Sequence, residues 1–364
     1  MENKNASDGV IYLKGLNGIR TIAAFGVLMA HLKLWASDLK NTINENPWGP
    51  FGVTMFFALS GFLITYLLLK EKDVSNGKIA IRKFYVRRIL RIWPLYFLYL
   101  FICLTILFVE NNGNVGFQIV FLYVALMANV PMALNTPFPY IGHYWSLATE
   151  EQFYLFWPWL VRMKNELLVL FAFLGLFVAL KLTCYFLLRN PTVDYFFDLM
   201  RFDCMAIGGL GAILFHKYRD KIRFFFNPYV EGICWIVVGA VVINRYHLIS
   251  ILDQEIFSVI VTIIIINQCA NNKVLISLDN KIFDFLGRIS FGIYVYHPLI
   301  IFSCVRMMNS LGMQDSYVKT GLIYAIVIAL TILTAYISYR YFESPFLKLR
   351  SKFAIVKTKN YKTD

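Results

Sequence analysis

Charge is scarce in this chain. Asp, Glu, Lys and Arg together make up 16% of its 364 residues, and only 22 are acidic against 35 basic. A soluble domain carries about 25% charged residues, so an ordinary soluble enzyme is excluded. Cysteine is sparse as well. Cys103, Cys184, Cys204, Cys234, Cys269 and Cys304 lie far apart, all within or at the ends of apolar stretches. No pair has zinc-ligand spacing and no disulfide framework can be read, so they fit as small apolar packing groups, and no metal is expected. The chain also lacks a Walker loop, HExxH and GxSxG. That argues against an ATP-driven pump, a zinc protease and an α/β-hydrolase-type esterase. There is no internal repeat, no low-complexity segment and no soluble domain.

What the chain has in excess is apolar sequence. Hydrophobic residues reach 59% and the mean hydropathy is +0.60, against about 45–50% apolar for soluble domains. The excess falls in blocks of the length a helix needs to cross hydrocarbon, about 17–25 residues. Backbone polar groups in lipid must pair internally, so such blocks must be helices. The expected fold is all-α, a polytopic transmembrane bundle. Eleven blocks stand out: 16–36, 51–70, 89–110, 117–133, 145–162, 167–188, 202–217, 228–244, 254–270, 289–308 and 317–341. Residues 1–13 form a polar tail. The first block carries Arg20 and His31 with no small-residue cleavage site after it, so it reads as an uncleaved span.

The net charge of +13 is explained by loops. Lys70, Lys72, Lys78, Arg82, Lys83, Arg87, Arg88 and Arg91 crowd one of them, which the positive-inside rule places in the cytoplasm. Arg162 and Lys164, then Lys217 to Arg223, then Lys273 to Arg288, and the basic tail 346–364 mark four more. No separate basic domain exists to hold a nucleic acid; the partner implied is the lipid bilayer. An even number of crossings must separate the first two basic loops, yet three blocks lie there. The shortest, 117–133, contains Asn129 and Pro131 and is expected to be a re-entrant or interfacial helix. About ten spans remain, in a domain over 14–345 with both termini cytoplasmic, in the cytoplasmic (inner) membrane.

Ionisable residues inside spans are costly and mark functional sites by default. In LNGIRTIAAFGVLMAHL, Arg20 and His31 are eleven apart. On a helix that is roughly 20° past three turns and about 16 Å of rise, so both face one side at different depths. His31 is a candidate general base; the plainer alternative is a headgroup Arg and a His satisfied by a neighbouring helix. In FYVRRILRIWPLYF, Arg87, Arg88 and Arg91 share a helix face and suit a phosphorylated donor, with Tyr85 and Trp93 as flat surfaces for a base. An ordinary basic flank would look the same. In GHYWSLATEEQFYLFWPWL, Glu150 and Glu151 are adjacent and at most one can face a given cavity. Glu150 would orient a His or clamp an acceptor hydroxyl, unless it is only a helix-start carboxylate. Arg201 and Asp203, before Gly208, Gly209 and Gly211, read as a pocket pair or a local salt bridge. His297, before Pro298, is a second cavity residue or a structural His. Ser60, in FFALSGFLI, is no nucleophile without a base beside it.

Taken together these segments resemble the membrane-bound acyltransferase-3 family over nearly the whole chain. The likeness rests on LNGIR…H with Arg20 and His31, on FFALSGFLIT, on RRILRIWPLY with Arg88 and Arg91, on YWSLATEEQFYLFWP, on SFGIYVYHPL and on YFESPF with Glu343. It implies transfer of an acetyl or other short acyl group from cytoplasmic acyl-CoA to a sugar hydroxyl of a surface polysaccharide or lipid-linked glycan. Arg87, Arg88 and Arg91 would hold the CoA phosphates, with Arg20 completing the entrance. His31 would act as general base or take the acyl group itself, and Glu150 would orient His31 or the acceptor. Glu151, Arg201, Asp203 and His297 are further pocket candidates. The chain resembles the family's stand-alone form, without the extracytoplasmic hydrolase-like domain some members carry, which leaves room for a partner protein in acyl delivery. A secondary transporter using the same His, Glu and Arg as a relay is the alternative.

Overall fold

The computed structural model describes residues 10–36, 48–246, 251–271, 273–314 and 316–358. Among these residues fifteen α-helices follow one another: α1 (Leu16–Ala36), α2 (Trp48–Val74), α3 (Ile81–Glu110), α4 (Phe117–Val124), α5 (Asn129–Ala133), α6 (Tyr144–Arg162), α7 (Glu166–Thr183), α8 (Pro191–Met200), α9 (Phe202–Lys217), α10 (Pro228–Val242), α11 (Asp253–Ala270), α12 (Lys281–Arg288), α13 (Ser290–Ser310), α14 (Tyr317–Ile337) and α15 (Ser344–Ser351). The only β structure among the described residues is a two-residue parallel ladder, Val10–Ile11 on Lys357–Thr358. It ties the segment before α1 to the segment after α15, so the expected tails are in part joined to each other.

Seven helices, among the described residues, are long and apolar enough to cross a membrane. This is a multi-pass membrane protein, but the expected count of about ten is not confirmed by length and apolarity. The three other blocks that form substantial helices are α1, α6 and α10. Of these, α10 has only 15 residues. The first carries Asn17, Arg20, His31 and Lys33, and the second Glu150, Glu151 and Gln152. The polar residues that make these two helices interesting are the ones that lower their hydropathy. The block 117–133 is broken into α4 and α5, of eight and five residues, both too short to cross. Asn129 and Gln152 exchange amide hydrogen bonds of 3.1 and 2.9 Å, which hold α5 against α6.

Helix ends sort onto two faces. On one, Lys72 Nζ donates to the carbonyls of Val161 (3.1 Å) and Met163 (3.3 Å), Lys217 pairs with Glu166 (2.5 Å), and Arg87 donates to the carbonyl of Phe353 (3.0 Å). Four of the basic segments therefore share this face. On the other, Arg306 pairs with Glu110 (2.9 Å), and Trp48 Nε1 donates to the carbonyl of Val242 (2.7 Å). The tightest crossing is α2 on α9. A Cβ at Gly61 would lie 1.8 Å from the Met205 carbonyl oxygen, and one at Gly208 2.0 Å from that of Ala58. Only a missing side chain lets the backbones approach that closely.

Candidate functional site

Two cavities adjoin in the half of the bundle nearer the basic segments. The larger holds about 520 Å³. Arg20, Arg87, Arg88, Arg91 and Arg350 line it, with Asn17, Glu71, Asp279 and Asp284 also in its wall. The smaller, about 90 Å³, has Ser60, Ser146, Glu150, Tyr154 and Tyr294 set among Val53, Phe56, Phe57, Leu147 and Phe291. Arg20, Leu63, Ile64, Arg88 and Arg91 line both, so the two form one path from a basic mouth to a mostly apolar inner chamber.

The guanidinium groups are held differently. Arg20 Nη1 donates to Asn17 Oδ1 (2.7 Å), and Asn17 is fixed in turn by Asp284 (2.8 Å), which also pairs with Arg288 (2.6 Å). Arg88 lies over the rings of Phe84 and Tyr154, 5.6 Å from each centroid, and its Nε is buried with no partner among the described residues. No hydrogen bond ties the guanidinium group of Arg91 or Arg350 to another described residue. Arg87 differs: it pairs with the buried carboxylate of Glu71 (3.0 Å) and with the Phe353 carbonyl, and so struts α2 and the C-terminal segment. Sequence reasoning missed Arg350, because its place at the mouth depends on how α15 folds back against α3. Tyr85 and Trp93, expected as surfaces for a base, line neither cavity. Tyr85 donates to the Leu155 carbonyl (2.6 Å) and Trp93 Nε1 to Glu151 (2.9 Å).

Of the two adjacent carboxylates, Glu150 faces the inner chamber and Glu151 does not. Glu150 Oε1 accepts from the Ser60 hydroxyl and from Tyr154 OH. The expected contact between Glu150 and His31 is not formed. Arg201 and Asp203 also lie off the path, and they do not pair with each other. Arg201 donates to the Pro50 carbonyl (2.7 Å) and Thr54 (2.9 Å), while Asp203 accepts from the backbone of Cys204 (2.8 Å).

His31 meets His297 instead. Its Nδ1 lies 2.6 Å from His297 Nε2, and His297 Nδ1 lies 3.2 Å from the Ile293 carbonyl oxygen. A carbonyl only accepts, so His297 Nδ1 carries a proton. In the neutral ring Nε2 then accepts, which makes His31 Nδ1 the donor and leaves the lone pair on His31 Nε2. These tautomers are assigned from the bonding pattern. Among the described residues His31 Nε2 has no hydrogen-bond partner. Trp35, one turn on, stacks on the His31 ring at 4.5 Å. His143, which sequence reasoning passed over, packs against His297 with ring centroids 5.3 Å apart. Seven residues before Glu150, it lies about two turns away on the same face; that spacing would have signalled it.

The histidines do not line the inner chamber. Between them and it stands Tyr294, which lines the chamber, sits 2.5 Å from the Ser146 hydroxyl and donates to the His143 carbonyl (3.0 Å). The arrangement is therefore two polar centres, Ser60–Glu150–Tyr154 and His31–His297, with Tyr294 and Ser146 between them. No cluster of three or more metal-ligating side chains occurs among the described residues.

A family model described as an acyltransferase domain, that of the acyltransferase-3 family, matches residues 13–340. The chain is 27% identical to the O-acetyltransferase OatA of Staphylococcus aureus strain NCTC 8325, covering 93% of this chain and 57% of that protein. It is 29% identical to a chain of S. aureus strain COL that is provisionally named an O-acetyltransferase, over 93% of this chain and 58% of that one. The chain thus spans a little under three fifths of the length of the curated relatives it matches. No solved structure matches it. These likenesses do not favour the transporter alternative.

Proposed function

This chain belongs to the acyltransferase-3 family, and on that footing we propose that it moves a short acyl group, acetyl in the first instance, from acyl-CoA to a hydroxyl of a carbohydrate acceptor. The observation that carries this reading is the basic mouth opening into an inner chamber that holds Glu150. Guanidinium groups bind phosphate through charge-assisted hydrogen bonds. Arg20, Arg88, Arg91 and Arg350 would receive the phosphates of CoA, while Arg87 is engaged with Glu71 and shapes the wall. The pantetheine arm would follow the shared wall of Leu63 and Ile64 inward, bringing the thioester to the chamber.

His31 Nε2, held with its lone pair free by His297, is the group suited to take the proton of an acceptor hydroxyl. As that proton leaves, the oxygen attacks the acyl carbon, an ester bond forms, and the former bond to the acyl group breaks. The basic face fits the cytoplasmic side of the inner membrane, where CoA thioesters are made. A protein partner that hands the acyl group on is compatible with this scheme and is not required by it.

The test is transfer itself. Membranes containing the chain, given isotope-labelled acetyl-CoA, are expected to pass label to glycan, and His31→Ala at matched expression is expected to abolish it. Full labelling by the His31→Ala protein would reject the reading, and proton-coupled uptake of a solute without labelled glycan would return the transporter.

A further inference from the structure

Several threonine hydroxyls inside the helices of this chain bond back along their own helix, and Ser60 does not. Thr54, Thr65, Thr105, Thr149 and Thr262 each donate to the backbone carbonyl four residues earlier, at 2.7–3.1 Å. That is the ordinary way for a mid-helix hydroxyl to satisfy its proton. Ser60, in the middle of α2, instead donates across to the carboxylate of Glu150 on α6. Its Oγ stands in the wall of the inner chamber, whose lining also includes Arg20, Arg88 and Arg91. A hydroxyl on a carboxylate base, facing a cavity with cationic donors in its wall, has the parts of an activated nucleophile. Arg88 Nε, buried without a partner, is one donor available to a developing oxyanion. Glu150 Oε2 has no partner among the described residues. The histidines stand beyond Tyr294, outside the chamber, so a thioester delivered there meets Ser60 first.

We propose that Ser60 is a catalytic residue that carries the acyl group as an oxygen ester between donor and acceptor. This rests on the acyl-transfer reading above and chooses a two-step route within it. In the first step Ser60 Oγ attacks the thioester carbonyl as its proton passes to Glu150. The C–S bond breaks, the serine ester forms, and Glu150 returns the proton to the departing thiolate, giving free CoA thiol. In the second step the acceptor oxygen, losing its proton to His31, attacks the ester carbon. The bond to Ser60 Oγ breaks, and the proton taken by His31 returns to Ser60 across the Tyr294 and Ser146 hydroxyls that stand between them, so enzyme and charge are restored. No oxidant, reductant or further reactant is needed.

The experiment uses the full chain, purified and placed in lipid nanodiscs, with carbon-labelled acetyl-CoA and no acceptor. After quenching in detergent, label on the protein is counted and located by peptide mass spectrometry. One acetyl group per chain at most is expected, on Ser60, resistant to neutral hydroxylamine and released by alkaline hydroxylamine. Ser60→Ala should lose at least nine tenths of the label while still binding CoA, which shows that it has folded. Ser60→Cys should keep the label as a thioester that neutral hydroxylamine cleaves. Label on another residue such as His31, or undiminished label on Ser60→Ala, overturns the proposal. So does an unlabelled protein whose membranes still acetylate glycan, an outcome that leaves the acyl-transfer reading standing. Label on neither protein nor glycan overturns both.

Discussion

Nδ1 of His31 lies 2.6 Å from Nε2 of His297, two residues 266 positions apart on helices α1 and α13. Because His297 is itself anchored to the Ile293 carbonyl, the contact does more than fill space. It sets which nitrogen of His31 is basic. In the proposed scheme His297 would be the positioning residue, the role expected of Glu150 from the sequence.

His31→Ala is expected to lower acyl transfer by roughly 10²–10⁴-fold, the usual contribution of a positioned base. His297→Leu, which offers no acceptor to Nδ1, should cost about 10²-fold on the same ground. His297→Gln places an amide oxygen where Nε2 stood and should restore most of the rate. Rates at matched expression, with acetyl-CoA affinity unchanged in all three, are the check; equal losses for Leu and Gln would make His297 a packing residue only.

The five arginines at the mouth should separate into two groups. Arg91→Ala and Arg350→Ala remove unpaired guanidinium groups, and each should weaken acetyl-CoA binding about tenfold, since a charged hydrogen bond contributes roughly 1.5–3 kcal/mol. The loss should shrink at high salt. Arg87→Ala instead strips the partner from the buried Glu71 carboxylate, which costs about 3–5 kcal/mol, and should show chiefly as a lower melting temperature. Titration calorimetry and thermal melts on the same proteins distinguish the two effects.

Glu150→Gln and Glu151→Gln form a matched pair one residue apart. The first removes the carboxylate that Ser60 and Tyr154 contact in the chamber, and transfer should fall about 10²-fold. The second keeps an oxygen for Trp93 Nε1 outside the chamber and should leave transfer within about threefold of wild type. Equal losses would mean that the chamber is not where chemistry occurs.

Gly61→Ala and Gly208→Ala test the α2–α9 crossing. Each adds a methyl group at about 2 Å or less from a backbone oxygen, and backbone cannot swing aside as a side chain can. Each should destabilise the protein by about 3 kcal/mol or more, read as a lower yield of folded protein and a lower melting temperature. Gly239→Ala, with nothing near its Cβ, is the control.

Much of the architecture is legible along the chain. Apolar block length marks the helices because hydrocarbon thickness is fixed; the block 117–133 is also interrupted, but at 125–128, ahead of the Asn129 and Pro131 that drew attention to it and that lie within α5. The basic loops could be grouped onto one face because the rule that groups them is local. The likeness in ordered motifs named the family. Site residues divide differently. Arg88 and Arg91 were visible as one face of one helix, and the alternation of Glu150 and Glu151 told that only one would face the chamber.

What the sequence by itself determined is therefore a basic-faced helical bundle and a set of polar residues inside it, both consequences of spacing along single helices, together with a resemblance to a family carried by ordered motifs. Which of those residues meet was decided only by tertiary structure. His31 reaches His297 and not Glu150, Glu150 reaches Ser60, and Arg350 arrives at the mouth from the far end of the chain. Such pairings depend on how helices rotate and cross, and those angles are set by packing at contacts such as Gly61 on Met205, between positions 144 residues apart. No periodicity within one helix encodes them.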